Sequence, residues 1–418
     1  MLASSSEFDL LLTIGITIFA ALGFSFLFSK LKLPVVIGQL LAGMIVGPFG
    51  LGLVQDINSL NLLASLGIIL LLFTVGLELD PAEILRVGGG SLLLALVEFS
   101  VTFLSVFTVG ILVGLGYLGS VFAGVIVSTT STAIMGKLLI ESKSLRASES
   151  HLVLTASVIE DFATVFILLL LPGLVVANSQ VPIADVELFV VKGLILVGVI
   201  LAFGWKAAPI LIQRVGGKRE ENQETAFLLA LSFGFAFAIL SSYLGFSPAV
   251  GAFLMGLMIR GNQARFISDK IGPIKDLFVV LFFVSMGTLI NIGALVSVTF
   301  PIVAIVSMAI LGKFVGAWAG AKLSRVGSNS SRVGVSMLPR GEFSFIVARE
   351  GTGLSLASQV LYPLAGLATL VSSLAASVGL RLLRPRSTAQ PAELLSHPIE
   401  TPLEPQGLIP TQEEGPLF

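Results

Sequence analysis

The chain has 418 residues, of which 55% are hydrophobic and only 12% charged. Soluble domains carry about 25% charged residues, so this composition describes a protein of many membrane spans and excludes one large globular core. A net charge of −1 argues against nucleic acid as a partner; the lack of cysteine excludes disulfides and thiolate metal sites, and His151 and His397 alone cannot furnish an imidazole cage or a Ser-His-Asp triad.

The N-terminal stretch Met1–Asp9 has neither a basic region nor a small-residue cleavage site, so the first apolar run reads as a retained helix. A hydropathy window gives about thirteen apolar segments. They cover 8–29, 34–50, 60–79, 88–115, 117–140, 147–171, 182–213, 222–243, 247–260, 271–290, 292–323, 331–350 and 355–384. Several exceed the roughly 20 residues that a span needs, which predicts tilts or breaks. Loops after the odd-numbered segments carry Lys30, Lys32, Arg86, Lys143, Arg146, Lys218, Arg219, Arg265, Lys270 and Arg325, and Arg381, Arg384 and Arg386 follow the last. Loops 51–59, 172–181 and 244–246 carry neither Lys nor Arg. The bias predicts an N-terminus outside and a C-terminus in the cytoplasm. From residue 387 to 418 the chain turns rich in Pro, Glu, Gln and Thr, the composition of a disordered tail too short to form a nucleotide-binding domain.

Charges and hydroxyls at membrane depth mark the candidate chemistry. Glu98 lies deep in segment 4 but no motif surrounds it, so it is set aside as an equally good structural hydrogen-bonding group. In segment 5 five consecutive hydroxyl residues, Ser128 to Thr132, predict an unwound stretch lining a site. An ordinary helix with back-bonded hydroxyls is the plainer reading. Segment 6 carries Glu160 and Asp161 side by side, each costing roughly 2.5–3.5 kcal/mol at the centre of a bilayer helix. A membrane pair of this kind binds a cation or a proton. Lys313 sits mid-span in segment 11 beside Gly312, Gly316 and Gly320, and must find a carboxylate or lose its proton. Segment 12 combines Pro339, Arg340, Gly341 and Glu342, the makings of a second interruption or of a kinked helix with an internal ion pair. Segments 5 and 12 are an odd number of segments apart and so run in opposite directions. Paired interruptions in inverted halves point to a transporter site.

These residues together resemble the monovalent cation:proton antiporter-2 family, whose members include sodium/proton exchangers and potassium-efflux systems. The likeness extends over about 1–385 and includes "LPVVIGQLLAGMIVGPFGLG" and "LASLGIILLLFTVGLELD" near the start. It implies an all-α polytopic membrane protein of two inverted repeats with crossed, broken helices 5 and 12, sitting in a prokaryotic inner membrane as a homodimer. Residues 1–386 would form the antiporter domain. Its dimerisation part would take 8–79 and 222–290, its linker helix 182–213, and its core 88–171 and 292–384. By the resemblance Asp161 is the ion-binding aspartate, with Glu160 before it and Thr129, Thr130 and Thr132 in the fifth-helix break. Lys313 would be the lysine that pairs with the carboxylates, and Arg340 and Glu342 further charge-compensating groups. Glu160 and Arg340 depart from the efflux-system pattern.

The function expected is exchange of sodium or potassium for protons, with no cofactor and no enzymatic chemistry. Asp161 would serve as the alkali-metal site, hard oxygen donors suiting such a cation. A cation channel or a non-transporting receptor subunit is the alternative, and an intramembrane aspartyl protease would need a second deep aspartate. Two charge schemes are open. Glu160 paired to Lys313 would make exchange electrogenic, a scheme favoured because Lys313 shows no other partner; Glu160 paired to Arg340 would make it electroneutral. Truncation after Arg386 is expected to leave exchange in proteoliposomes intact, since 387–418 has nothing with which to build a core. Loss of exchange in folded, truncated protein would assign the tail a regulatory role.

Overall fold

A computed structural model describes residues 5–31, 33–79, 88–142, 147–178, 183–216, 220–290, 299–325, 329–351 and 355–383. Lys32, Arg86, Lys143, Arg146, Lys218, Arg219, Arg384, Arg386 and the tail 387–418 lie outside these residues. The described chain is helical, without strands. It begins with α1 (Ser5–Lys30), α2 (Val35–Val46), α3 (Ile57–Glu78) and α4 (Gly89–Leu112). The fifth apolar segment contains two helices, α5 (Gly116–Ser128) and α6 (Thr132–Ser142), and the sixth one, α7 (Ala147–Asn178). Next come α8 (Ile183–Ala202), a π-helical turn (Phe203–Ala207) and α9 (Ala208–Gly216). After α10 (Glu220–Tyr243), α11 (Pro248–Met258), α12 (Asn262–Thr288) and α13 (Thr299–Leu323), the twelfth segment again holds two helices, α14 (Ser330–Ser336) and α15 (Glu342–Glu350). The last helix is α16 (Ser355–Leu382). Among the described residues, 8 helices are long and apolar enough to cross a membrane. Val35–Val46, Gly116–Ser128 and Pro248–Met258 are apolar but shorter.

Boundaries follow local chemistry. Asp56 caps α3, its carboxylate accepting the Ser59 N–H at 3.1 Å. Pro248 starts α11 at a position where its missing N–H costs nothing. α12 begins nine residues before the apolar segment expected at 271–290, because its first turns are amphipathic. Ala264, Ile267 and Ile271 are buried there while Lys270 stays exposed, a pattern an apolarity window does not register.

Two sets of helices pack closely. α4 lies along α13, where Gly316 and Gly320 admit the backbone of Glu98 and Leu94. α3 packs against α11 and α12, and α2 against α12, with glycines meeting in reciprocal pairs. A β-carbon at Gly43 would run into the carbonyl oxygen of Val284, and one at Gly287 into that of Leu40. Gly76 and Gly256 have the same relation to the Phe253 and Phe73 carbonyls. Backbones this close leave no room for any side chain. Gly287→Ala is therefore expected to cost about 1–3 kcal/mol of stability, read as a lowered thermal midpoint. Gly198→Ala in α8, whose β-carbon meets nothing within 4 Å, should leave the midpoint unchanged or slightly raised. Equal midpoints for the two variants would refute tight backbone contact.

Candidate functional site

The two interruptions touch each other. α5 stops at Ser128, and Thr129 is extended with φ −81 and ψ 141. The Ser131 N–H donates to the Pro339 carbonyl at 2.8 Å, and the Ser344 hydroxyl donates to the Ile126 carbonyl at 2.7 Å. Gly341 is required here, because a β-carbon would collide with the Ser131 side chain. Four helix ends thus meet inside the protein: the C-termini of α5 and α14, with exposed carbonyls, and the N-termini of α6 and α15, with exposed amides.

Charged side chains complete these ends. Arg340 is fully buried, and its three donor nitrogens all go to carbonyls: Nε to Val127 at 2.8 Å, Nη1 to Leu338 at 2.7 Å and Nη2 to Ala309 at 2.9 Å. The Lys313 ammonium donates to the Ser128 carbonyl. Cations therefore occupy the negative ends of α5 and α14. At the positive ends, Glu342 is the first residue of α15, with a carboxylate oxygen 3.5 Å from the Ser131 hydroxyl, and Asp161 accepts from Thr132, the first residue of α6, at 2.9 Å.

The carboxylates form two layers. Glu160 is buried, and its Oε2 accepts from the Thr130 N–H at 3.0 Å and the Thr130 hydroxyl at 2.6 Å, with Lys313 Nζ 3.4 Å away. Asp161 and Thr132 are only partly buried, as is Glu342, so this layer is the accessible one. Thr132 also lies 3.2 Å from the Ser157 hydroxyl. Glu160 Oε1, Asp161 Oδ1 and the Thr129 hydroxyl have no hydrogen-bond partner although buried. Unpaired buried oxygens are costly unless something binds them, and these hard donors fit a proton or an alkali cation.

The expected residues Glu160, Asp161, Thr130, Thr132 and Lys313 thus come together, with Thr129 at the break. Of the two charge schemes, the Glu160–Arg340 pair is not formed: the Arg340 nitrogens donate to the carbonyls of Val127, Leu338 and Ala309, the last inside α13, whereas Glu160 does lie 3.4 Å from Lys313. The premise of the favoured scheme needs correction. Lys313 does have another partner, and a closer one: Glu98 Oε1 at 2.8 Å, with both side chains fully buried. Glu98, which no motif marks, thereby joins the cluster. The signal was the glycine stripe beside Lys313, which marks the face where α4 approaches.

A model of the transmembrane sodium/hydrogen exchanger family matches residues 14–383. The chain belongs to that family. The Na(+)/H(+)-K(+) antiporter GerN of Bacillus cereus is 31% identical over 78% of this exchanger and 83% of its own length. The glutathione-regulated potassium-efflux protein KefC of Escherichia coli is 29% identical over 76% of the exchanger, which spans only 51% of that longer relative. These are the cation/proton antiporters that the motifs resemble. The sodium proton antiporter MjNhaP1 from Methanocaldococcus jannaschii shares the fold, with a TM-score of 0.67 over 90% of the exchanger and 98% of that chain, at 19% identity. Replacing Arg340 by Gln would strip most donors from the Val127, Leu338 and Ala309 carbonyls, each costing about 1–3 kcal/mol when buried unpaired. Arg340→Gln is accordingly expected to lower the thermal midpoint of the purified exchanger sharply. An unchanged midpoint would show that the guanidinium is not what completes α5.

Proposed function

We propose that the exchanger carries a monovalent alkali cation, sodium or potassium, one way and protons the other by alternating access, with Asp161 as the shared carboxylate. The observation that carries this reading is the pair of unpartnered oxygens, Asp161 Oδ1 and Glu160 Oε1, at a helix interruption. A carboxylate in a low dielectric cannot stay ionised and unpaired, so Asp161 holds either a proton or a cation. One site with two competing occupants makes exchange obligatory. Thr132 steadies one oxygen of Asp161 while the other takes the cation, and Thr129 and Glu160 supply further hard oxygens. Neutralised by either occupant, the site can cross the membrane interior at low electrostatic cost.

Alternating access needs one set of helices to move past another. The close packing of α4 with α13 supports a core formed by 88–171 and 292–384. The glycine contacts of α2, α3, α11 and α12 support a fixed dimerisation part formed by 8–79 and 222–290, with 182–213 as linker. In this reading the protein is a homodimer in a prokaryotic inner membrane, with its N-terminus outside. A channel would need a continuous conduction path, whereas the accessible layer here stops at Glu160 and Lys313, which are buried.

Asp161→Asn keeps the volume but removes both the anion and the proton site. It is expected to abolish cation-driven dequenching of a pH dye in proteoliposomes while the protein still folds. Appreciable exchange in that variant would sink the shared-carboxylate mechanism. Cation flux without counter-moving protons in the wild type would favour a channel instead.

A further inference from the structure

Lys313 sits among three acceptors: Glu98 Oε1 at 2.8 Å, the Ser128 carbonyl, and Glu160 Oε2 at 3.4 Å. An ammonium has three N–H donors, so this environment satisfies it completely. The two carboxylates are not equivalent. Glu98 makes the shorter contact, and the same oxygen lies 2.9 Å from the Thr102 hydroxyl one turn along α4. Glu160 lies farther from Lys313, is held by both Thr130 donors, and adjoins Asp161 in the chain. Glu160 itself also lies against Glu98, so the two carboxyls face the same ammonium, and the second Glu98 oxygen, Oε2, has no hydrogen-bond partner although buried.

We propose that Glu98 is a positioning residue of the exchange site: it is the standing counter-ion of the Lys313 ammonium, and so frees Glu160 to turn toward an entering cation. Were Glu160 the sole partner, a cation drawing on Glu160 would strip Lys313 of its counter-charge. The lysine would then have to release its proton or remain as an uncompensated buried charge. With Glu98 and the Ser128 carbonyl in place, Lys313 keeps its proton while Glu160 changes partner. The protons exchanged then come from the carboxylates and not from the lysine. This inference rests on the reading of Asp161 as the shared site.

Glu98→Gln keeps the shape and removes the charge, leaving Lys313 to hold Glu160 more firmly. The half-saturating concentration of sodium or potassium in the pH-dye assay is expected to rise roughly tenfold or more, with the maximal rate much less affected. Glu98→Asp should recover part of the loss. In a Lys313→Gln background the effect should disappear or reverse, since Glu98 then has no ammonium to serve and is itself an uncompensated buried carboxylate. Wild-type half-saturation in folded Glu98→Gln would overturn the proposal. So would an equal further loss in the Lys313→Gln background. Should Glu98→Gln fail to fold, the double variant decides: recovery of folding when the lysine is also removed supports the pairing role, and continued misfolding overturns it by making Glu98 a packing residue. Failure of the Asp161 reading is separately visible as exchange surviving in Asp161→Asn.

Discussion

A helix broken inside a membrane leaves amides and carbonyls with no water to receive them, and the architecture of this exchanger is arranged around four such ends. Backbone groups at membrane depth are tolerated only where protein satisfies them. Here the two breaks lie against each other, and each sign of partial charge draws the opposite full charge. Arg340 and Lys313 sit at the carbonyl ends, Asp161 and Glu342 at the amide ends. The dipole of a half-helix thereby becomes a reason for a charged residue to be stable where it would otherwise be expelled.

That arrangement separates charges whose hydrogen-bond partners are complete from charges whose partners are not. Arg340 has every donor nitrogen engaged by carbonyls. Asp161 keeps one oxygen without a partner and sits in the partly accessible layer. Glu160 and Lys313 lie between, held but not saturated by one another. A site that had satisfied every oxygen would be more stable and inert. The unsatisfied oxygens are the part of the structure from which ligand chemistry can be read.

Much of this was legible in the sequence because charges in an apolar run are conspicuous. Glu160, Asp161 and Lys313 stand out at once, and hydroxyls or Pro339 and Gly341 announce the interruptions. What the sequence did not disclose was pairing. Glu98 and Lys313 are separated by more than two hundred positions, and only the meeting of α4 with the glycine face of α13 makes them neighbours. Arg340 misled for a related reason: a guanidinium near carboxylates suggests an ion pair, while its true partners are carbonyls, which every residue has and no motif marks. The start of α12 escapes an apolarity window because its opening turns are polar on one side. The π-turn at Phe203–Ala207 has no composition that distinguishes it from the helices on either side.

The reciprocal glycines of α2, α3, α11 and α12 have a mechanical meaning. Where side chains interlock between helices, rotamer changes let one helix creep along another. Where backbone lies on backbone, nothing is left to rearrange, and creep would lift the helices apart and open a gap. This part of the molecule is therefore fitted backbone to backbone along its length, and the chain next departs from α-helical geometry at Phe203–Ala207, where a π-turn widens one hydrogen-bond ring between α8 and α9.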